Sequence, residues 1–134
     1  MSLKSILVKD YMSRTLVKFK PETSVLDAVH TLVKHRIAGA PVVDDAGNLV
    51  GMLSELDCLK VAMQAGYHGS YGGPVSEYMS QNVETVNGEL SIVDLAQKFL
   101  DTRSPRVPVT DNNRLNGQIS RRDVLRALEV LSQG

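Results

Sequence analysis

The sequence predicts an α+β protein that contains two copies of a β-α-β-β-α unit. The string at residues 8–13 (VKDYMS) recurs 67 residues later at residues 75–80 (VSEYMS). After the loss of one residue in a turn, a Gly-x-x-Ser-x-x-Asp string at residues 51–57 recurs at residues 117–123. A repeat that spans the whole chain indicates a tandem pair, with one repeat at residues 1–68 and the other at 69–134.

The first repeat begins with a predicted strand and helix. Leu16–Phe19 predicts a short strand, and apolar residues at helical spacing follow from Val25 to Val33. Ser24 precedes them as the predicted N-cap. Gly39 is predicted to mark the end of this helical stretch.

A hairpin and a second helix complete the first repeat. Residues 40–43 and 49–53 predict two strands, and residues 44–48 between them have the composition of a turn. Ser54 is predicted to begin a helix that extends to about Gln64.

The second repeat copies each of these steps. Its predicted elements are a strand at Val83–Val86, a helix over 92–100, hairpin strands at 107–110 and 115–119, and a helix from Ser120 to about Leu131. The joint between the repeats, Ala65–Pro74, is rich in glycine and predicts a surface loop. A phosphate-binding loop is disfavoured there because no lysine follows the glycines.

Composition limits the classes of function. The chain has 134 residues, and its 15 basic residues balance its 15 acidic ones, so no strong field attracts nucleic acid or a membrane. It contains no run of 18 apolar residues. Met1–Ser5 lacks the features of a signal peptide, and the single Cys58 suits a reducing compartment, so we expect a cytoplasmic location and a packed thiol.

Neither a metal site nor a catalytic site is predicted. His30 and His35 differ by five positions, which is wrong for one helix face, and no paired-ligand motif includes His68. Ser54, His35 and Asp57 resemble a catalytic triad only in residue type, since no Gly-x-Ser-x-Gly elbow is present. We therefore expect that the protein is not an enzyme.

The Gly-x-x-Ser-x-x-Asp strings have two interpretations. In a capping box, the serine at the N-cap and the acidic residue at N3 satisfy each other's backbone N–H groups. Alternatively, the strand end and the helix N-terminus form an anion site, in which serine binds phosphate and the carboxylate binds ribose hydroxyls. Residue pattern alone leaves both interpretations open.

Basic residues distinguish the second string from the first. Arg121 and Arg122 occupy the first helical turn, where the helix dipole favours acidic residues, whereas the first string has Glu55 there. Arg106 lies at the start of the preceding hairpin, and its guanidinium suits a phosphate. The alternative is a solvated basic surface, or pairing with acidic residues elsewhere.

These motifs resemble a tandem pair of CBS domains, also called a Bateman module. The residues that carry the resemblance are 35–44 (HRIAGAPVVD), 51–57 (GMLSELD), 106–111 (RVPVTD) and 117–123 (GQISRRD). The resemblance implies two repeats packed sheet to sheet about a pseudo-twofold axis. It also implies two clefts for adenosine-containing ligands, namely AMP, ADP or ATP and in some members S-adenosylmethionine or NAD-type molecules. A homodimer and a regulated partner protein are further implications.

Carried over to this sequence, the resemblance implies a stronger and a weaker ligand site. In the stronger site Asp123 would hold the ribose, Ser120, Arg122 and Arg106 would contact phosphate, and the adenine would lie near repeat 1. The stronger-site residues are Val17, Ile37, Ala38, Gly39, Arg106, Ser120, Arg121, Arg122 and Asp123. The weaker-site residues are Ser54, Asp57, Glu84, Arg103, Ser104 and Pro105.

The weaker site departs from the phosphate-binding pattern. Gly39 stands where the second repeat has Arg106, Glu55 and Leu56 replace the arginine pair, and Glu84 adds a carboxylate. Two functional hypotheses follow. The first is a regulatory sensor of adenine nucleotides that signals to a partner; the alternative is a structural dimerisation module with vestigial clefts.

Overall fold

Helices and two small antiparallel sheets make up the described chain. The computed structural model describes residues 2–68, 72–102 and 104–133. Its helices are α1 (Val8–Tyr11), α2 (Val25–His35), α3 (Glu55–His68), α4 (Ile92–Thr102) and α5 (Arg121–Gln133). Its strands are β1 (Gly39–Val43), β2 (Leu49–Ser54), β3 (Arg106–Asp111) and β4 (Arg114–Ser120). This arrangement confirms the α+β class.

Both predicted hairpins are confirmed. Strand β1 pairs with β2, and β3 pairs with β4, each antiparallel and each with a register shift at the same place in the repeat. The turns differ because Asn112 and Asn113 both adopt positive φ and close the second hairpin with two residues. The longer first turn is held by Asp44, whose Oδ1 accepts hydrogen bonds from two backbone N–H groups. These bonds, above all the one from Asn48, lower the pKa of the Asp44 carboxyl.

Helix boundaries correct several expectations. Gly39 does not end α2, because Arg36 adopts the left-handed conformation at the helix C-cap and Gly39 already begins β1. Ser24 lies at the N-cap as expected, but its side chain makes no capping hydrogen bond. Helix α3 continues to His68, so the predicted loop over Ala65–Pro74 is wrong for residues 65–68. Gly69, Ser70 and Tyr71 lie outside the described residues.

The two predicted leading strands are reduced to single bridges. Phe19 forms one parallel bridge with Val42, and Val86 forms the matching bridge with Val109. The backbone on either side of each bridge is irregular. A single bridge suffices to hold each segment against its hairpin because two backbone hydrogen bonds flank it.

The chain forms two compact units that are not coextensive with the sequence repeats. The first unit combines the chain up to Leu16 with the chain from Glu84 onward, and the second unit is Val17–Val83. The string at residues 8–13 therefore packs with the hairpin of the second repeat, and the string at 75–80 packs with the hairpin of the first. No helix in the described ranges is both long and apolar enough to cross a bilayer.

Each unit has its own hydrophobic core between helices and one face of a hairpin. The core of the first unit is formed by Ile6, Val8, Val86, Ile92, Leu95, Phe99, Val107, Val109, Ile119, Val124 and Ala127. The core of the second unit is formed by Phe19, Val25, Ala28, Leu32, Ala40, Val42, Leu53, Val61, Val75 and Tyr78. Val8 and Val75, the first residues of the two strings, are both fully buried.

A close backbone approach joins each string to its hairpin. Ser13 exchanges two backbone hydrogen bonds with Gln118 of β4, at 2.8 and 3.0 Å. A Cβ on the neighbouring Gly117 would lie 2.5 Å from the Ser13 carbonyl oxygen. Ser80 pairs in the same way with β2, where a Cβ on Gly51 would lie 2.9 Å from the Ser80 carbonyl oxygen. The glycine that opens each Gly-x-x-Ser-x-x-Asp string is thus required by this contact.

We expect Gly117→Ala to lower the free energy of unfolding by about 1–3 kcal/mol, because the new methyl group meets backbone that cannot move aside cheaply. Urea unfolding in the absence of ligand measures this change. Gly66→Ala is the control, since Gly66 lies inside α3 with nothing within 4 Å of an added Cβ. That control should gain about 0.5–1 kcal/mol. Equal stability of Gly117→Ala and the wild type would contradict the packing argument.

Candidate functional site

Both Gly-x-x-Ser-x-x-Asp strings form the predicted capping box. In the second unit, the Ser54 backbone N–H donates to Asp57 Oδ2 at 2.9 Å, and the Asp57 N–H donates to Ser54 Oγ at 3.1 Å. In the first unit, the Ser120 N–H donates to Asp123 Oδ2 at 2.8 Å, and the Asp123 N–H donates to Ser120 Oγ at 3.3 Å. Each serine therefore lies where a strand ends and a helix begins.

Asp57 is enclosed by its own unit. The residue is 7% exposed, and Ser80 Oγ lies 3.3 and 3.5 Å from its two carboxylate oxygens. Lys60 Nζ lies 3.6 Å from Oδ1. Both oxygens of Asp57 therefore have partners, and its side chain is only 9% exposed, so little of the carboxylate is accessible to a ligand hydroxyl.

Asp123 is more open. Its side chain is 18% exposed, and Oδ1 accepts a single hydrogen bond within the described chain, from Arg126 at 3.0 Å. Arg126 also donates to the Tyr11 carbonyl oxygen at 3.1 Å, and its guanidinium lies 5.3 Å from the centre of the Tyr11 ring. Ser13, which corresponds to Ser80, donates to the Thr15 carbonyl oxygen instead of to the aspartate. Both carboxylates thus have partners on each oxygen, and the difference between them is accessibility, since the Asp123 side chain is 18% exposed and that of Asp57 is 9% exposed.

The first turns of α3 and α5 carry opposite charges on matched backbones. The Glu55 N–H donates to the Ala38 carbonyl oxygen, and the Arg121 N–H donates to the Pro105 carbonyl oxygen. The Arg121 Nε–H also donates to the Ser104 carbonyl oxygen at 3.2 Å. Arg122 is exposed beside it. The α5 terminus therefore presents at least one solvent-facing guanidinium, whereas the α3 terminus presents a carboxylate.

A polar sheet face in the first unit lies opposite to the core, and we define it by Arg106, Gln118 and Ser120. The register places Arg106 directly across from Ser120, and Gln118 two residues before Ser120 on β4. Arg106 Nε is buried and has no hydrogen-bond partner among the described residues. The second unit has Gly39 across from Ser54 and Met52 in place of glutamine. The second unit thus lacks both long polar side chains.

The predicted base-pocket residues belong to separate units. Val17 and residues 37–39 lie in the second unit, where Ala38 and Gly39 contact the Ser54-Glu55 strand end. Glu84, Ser104 and Pro105 lie in the first unit, the latter two beside Arg121. Arg103 lies outside the described residues. Pairing of each set with the aspartate of the other repeat stays a prediction.

Each unit also has an apolar groove between its helices. In the second unit a groove of about 450 Å³ is lined by α2, α3 and the segment Arg36–Ala38. In the first unit a groove of about 430 Å³ lies between α4 and α5. Cys58 borders the former groove, and burial, followed by the charges of Asp57 and Glu55, raises the pKa of its thiol. The groove of the second unit is also lined by Arg36 and Glu55 and by Ile37 and Ala38 of the predicted base pocket, whereas the groove of the first unit has Arg121 at its edge.

Sequence reasoning missed three side chains that lie at the candidate site. Ser80 and Arg126 contact the two aspartates, and Gln118 lies on the polar sheet face. Arg126 follows Asp123 by three positions on a helix, as Lys60 follows Asp57, so helical spacing contains a usable signal. Ser80 has no such signal, because its contact with Asp57 spans 23 residues.

The CBS domain family model matches residues 8–64 and 75–130. The chain is 30% identical to the CBS domain-containing protein YhcV of Bacillus subtilis, covering 87% of this chain and 81% of YhcV. It is also 30% identical to the chloroplastic CBS domain-containing protein CBSX2 of Arabidopsis thaliana over 90% of this chain. The chain spans 62% of the length of CBSX2.

Solved structures are similar over nearly the whole chain. CBSX2 in complex with AMP aligns with a TM-score of 0.83 and 33% identity, covering 95% of this chain and 98% of the solved one. The CBS domain pair of MJ0100, in complex with 5′-methylthioadenosine and S-adenosyl-L-methionine, aligns with a TM-score of 0.75 and 28% identity, covering 93% and 97%. With two matched segments in tandem, the chain belongs to the CBS domain family.

Proposed function

We propose that this CBS domain pair is a regulatory module that binds an adenosine-containing nucleotide of the AMP, ADP or ATP class. The ligand binds at the polar sheet face and the N-terminus of α5. Its occupancy is signalled to a partner protein. S-adenosylmethionine and NAD-type molecules share the adenosine group and are the alternative ligands.

The buried Nε–H of Arg106, which has no acceptor among the described residues, is the observation that carries this proposal. A buried donor without an acceptor costs about 1–3 kcal/mol, and a charged donor costs more. Ser120 lies directly across the hairpin from Arg106, at the N-terminus of a 13-residue helix. A phosphate oxygen bound between them would satisfy the guanidinium and complement the helix dipole.

Asp123 and Arg122 complete the proposed site. Asp123 Oδ1 has capacity to accept a hydrogen bond from a ribose hydroxyl, while Oδ2 remains engaged by the Ser120 cap. Arg122 is exposed in the first turn of α5 and adds positive charge for a second phosphate group. The relatives that were solved with AMP, 5′-methylthioadenosine and S-adenosylmethionine support an adenosine-containing ligand.

We propose that the Asp57 site is weaker. Asp57 is covered by Ser80, and the α3 terminus carries Glu55, which repels phosphate. Gly39 offers no guanidinium in the place of Arg106. A ligand with little negative charge, or no ligand, fits this site better than a nucleotide does.

A homodimer accompanies this proposal. Large apolar side chains are exposed on the four longer helices, namely Leu26, Val33, Leu56, Leu59, Met63, Leu100, Leu125 and Leu128. Leu59 and Leu125 occupy matched positions in α3 and α5 and are 60% and 59% exposed. Such stripes favour association, because burying them removes apolar area from water. We propose that a second copy of the chain covers these apolar side chains. The same side chains also support the alternative function, a purely structural dimerisation module.

The proposal also includes a cytoplasmic location, a sensing rather than a catalytic role, and a regulated protein that is not identified. They rest on composition and on the membership of the CBS domain family. A regulatory effect requires that the nucleotide bind one conformation of the module more tightly than another.

Asp123→Ala should weaken the binding of AMP, ADP and ATP at least tenfold, because the loss of one charged hydrogen bond costs about 1.5–3 kcal/mol. Asp57→Ala should leave these affinities within about twofold of the wild type. Titration calorimetry measures the affinities. The two variants are matched because each removes one capping box, which costs each helix about 1 kcal/mol. The reverse order of effects would place the nucleotide at Asp57.

Arg106→Gln should weaken ATP and ADP binding about tenfold or more, with a much smaller effect on adenosine, because a phosphate partner is lost. Arg114→Gln is the control, as Arg114 is exposed on the same hairpin. Affinities for adenosine and ATP are compared by calorimetry. Equal losses for adenosine and ATP would show that Arg106 does not contact phosphate.

The double variant Leu59→Glu and Leu125→Glu should convert the proposed dimer into a monomer, because two charges would enter the apolar interface. Light scattering after size exclusion measures the mass. Lys98→Glu is the control, since Lys98 is exposed on the opposite side of α4 from Leu100. A monomeric wild type, or a dimeric double variant, would remove the homodimer from the proposal.

A further inference from the structure

Gln118 presents a second unpaired donor on the polar sheet face. Its backbone N–H and carbonyl oxygen are both engaged by Ser13. Its side-chain Nε2 is buried and has no hydrogen-bond partner in the part of the chain that the structure describes. An amide donor buried in this way is rare in proteins and costs free energy until an acceptor reaches it.

The register places this donor beside the proposed phosphate contacts. Gln118 lies across from Pro108, two pairs along the ladder from Arg106 and Ser120. The two pairs share one side of the sheet, because successive residues of a strand alternate between faces. The intervening Val107 and Ile119 point into the core. Both buried, unpaired side-chain donors found among the described residues therefore lie on one face of one hairpin.

The second unit serves as an internal comparison. At the two matched positions it has Gly39 and Met52, which carry no side-chain donor. A glutamine with a purely structural role would be expected to have a partner within its own unit, and Gln118 Nε2 has none among the described residues of that unit. The unit with the proposed phosphate arginine is also the unit with the unpaired amide.

We infer that Gln118 donates a hydrogen bond from Nε2 to an acceptor in the nucleoside part of the ligand, and thereby contributes affinity that does not depend on phosphate. This inference rests on the proposed function. Gln118 and Ser120 are two positions apart on β4, a separation of about 7 Å, so a phosphate at Ser120 lies beyond the amide and the sugar or base lies within its reach. The acceptors there are the ring nitrogens of adenine and the ribose oxygens, which all adenosine-containing ligands share.

The two donors are therefore expected to contribute to the affinity for different ligands. Gln118 contributes equally to the affinity for adenosine, AMP and ATP, since each contains the nucleoside. Arg106 contributes only where phosphate is present. The two side chains thus affect different members of one ligand series.

The test is Gln118→Met, which installs the residue that the other unit has at this position. Titration of AMP and adenosine should show the same loss for both ligands, about fivefold to tenfold, as for one neutral hydrogen bond. Without ligand, Gln118→Met should melt at the same temperature as the wild type or higher, because an unpaired buried donor is removed. Met52→Leu, the matched control in the second unit, should change neither affinity.

Four outcomes would overturn the inference. Unchanged affinity in Gln118→Met would do so while leaving the proposed function intact. A loss for AMP but not for adenosine would assign the amide to phosphate, and a lower melting temperature of the unliganded variant would assign it a structural role. A wild type that binds neither AMP nor adenosine would overturn the proposed function and the inference together.

Discussion

The fold of each unit depends on the close approach of two backbones at a glycine. Ser13 pairs with β4 beside Gly117, and Ser80 pairs with β2 beside Gly51, at separations that a side chain would prevent. The pairing fixes a distant string of the chain against the middle of each hairpin. It thereby sets the position of the strand end where the capping serine lies, three residues beyond the glycine. The ligand chemistry proposed for the first unit is built on that strand end.

Local signals predicted the elements whose causes are local. The hairpins, the helix starts at Ser54 and Ser120 and both capping boxes follow from turn chemistry and apolar spacing within a few residues. The end of α2 was mispredicted because Arg36, rather than a glycine, adopts the left-handed conformation. The end of α3 was mispredicted because a single exposed glycine, Gly66, does not interrupt a helix, and α3 continues past it to His68.

Long-range effects account for what the sequence did not reveal. The compact units join residues that lie far apart, as in the 105-residue separation of Ser13 and Gln118, and no local pattern records such a pairing. The same limit concealed the role of Ser80, whose hydroxyl covers Asp57. In contrast, the charge difference between Glu55 and the Arg121-Arg122 pair was readable directly, because both lie inside a repeated string. Repetition therefore predicted the scaffold, and contacts between distant residues distinguish the two sites.

The exchange of strings between units has a consequence for the order of folding during synthesis. The second unit is continuous in the chain and contains all its parts once Val83 has been made, whereas the first unit begins with residues up to Leu16 and lacks its core until α5 follows. The string at residues 8–13 therefore has no partner until β4 has been made, whereas the string at 75–80 pairs with the hairpin that precedes it. The two strings share a buried valine, followed by a tyrosine and a Met-Ser pair, so they can compete for the same hairpin. If a ribosome stalled inside the second repeat, the string at residues 8–13 would have no hairpin of its own to pair with.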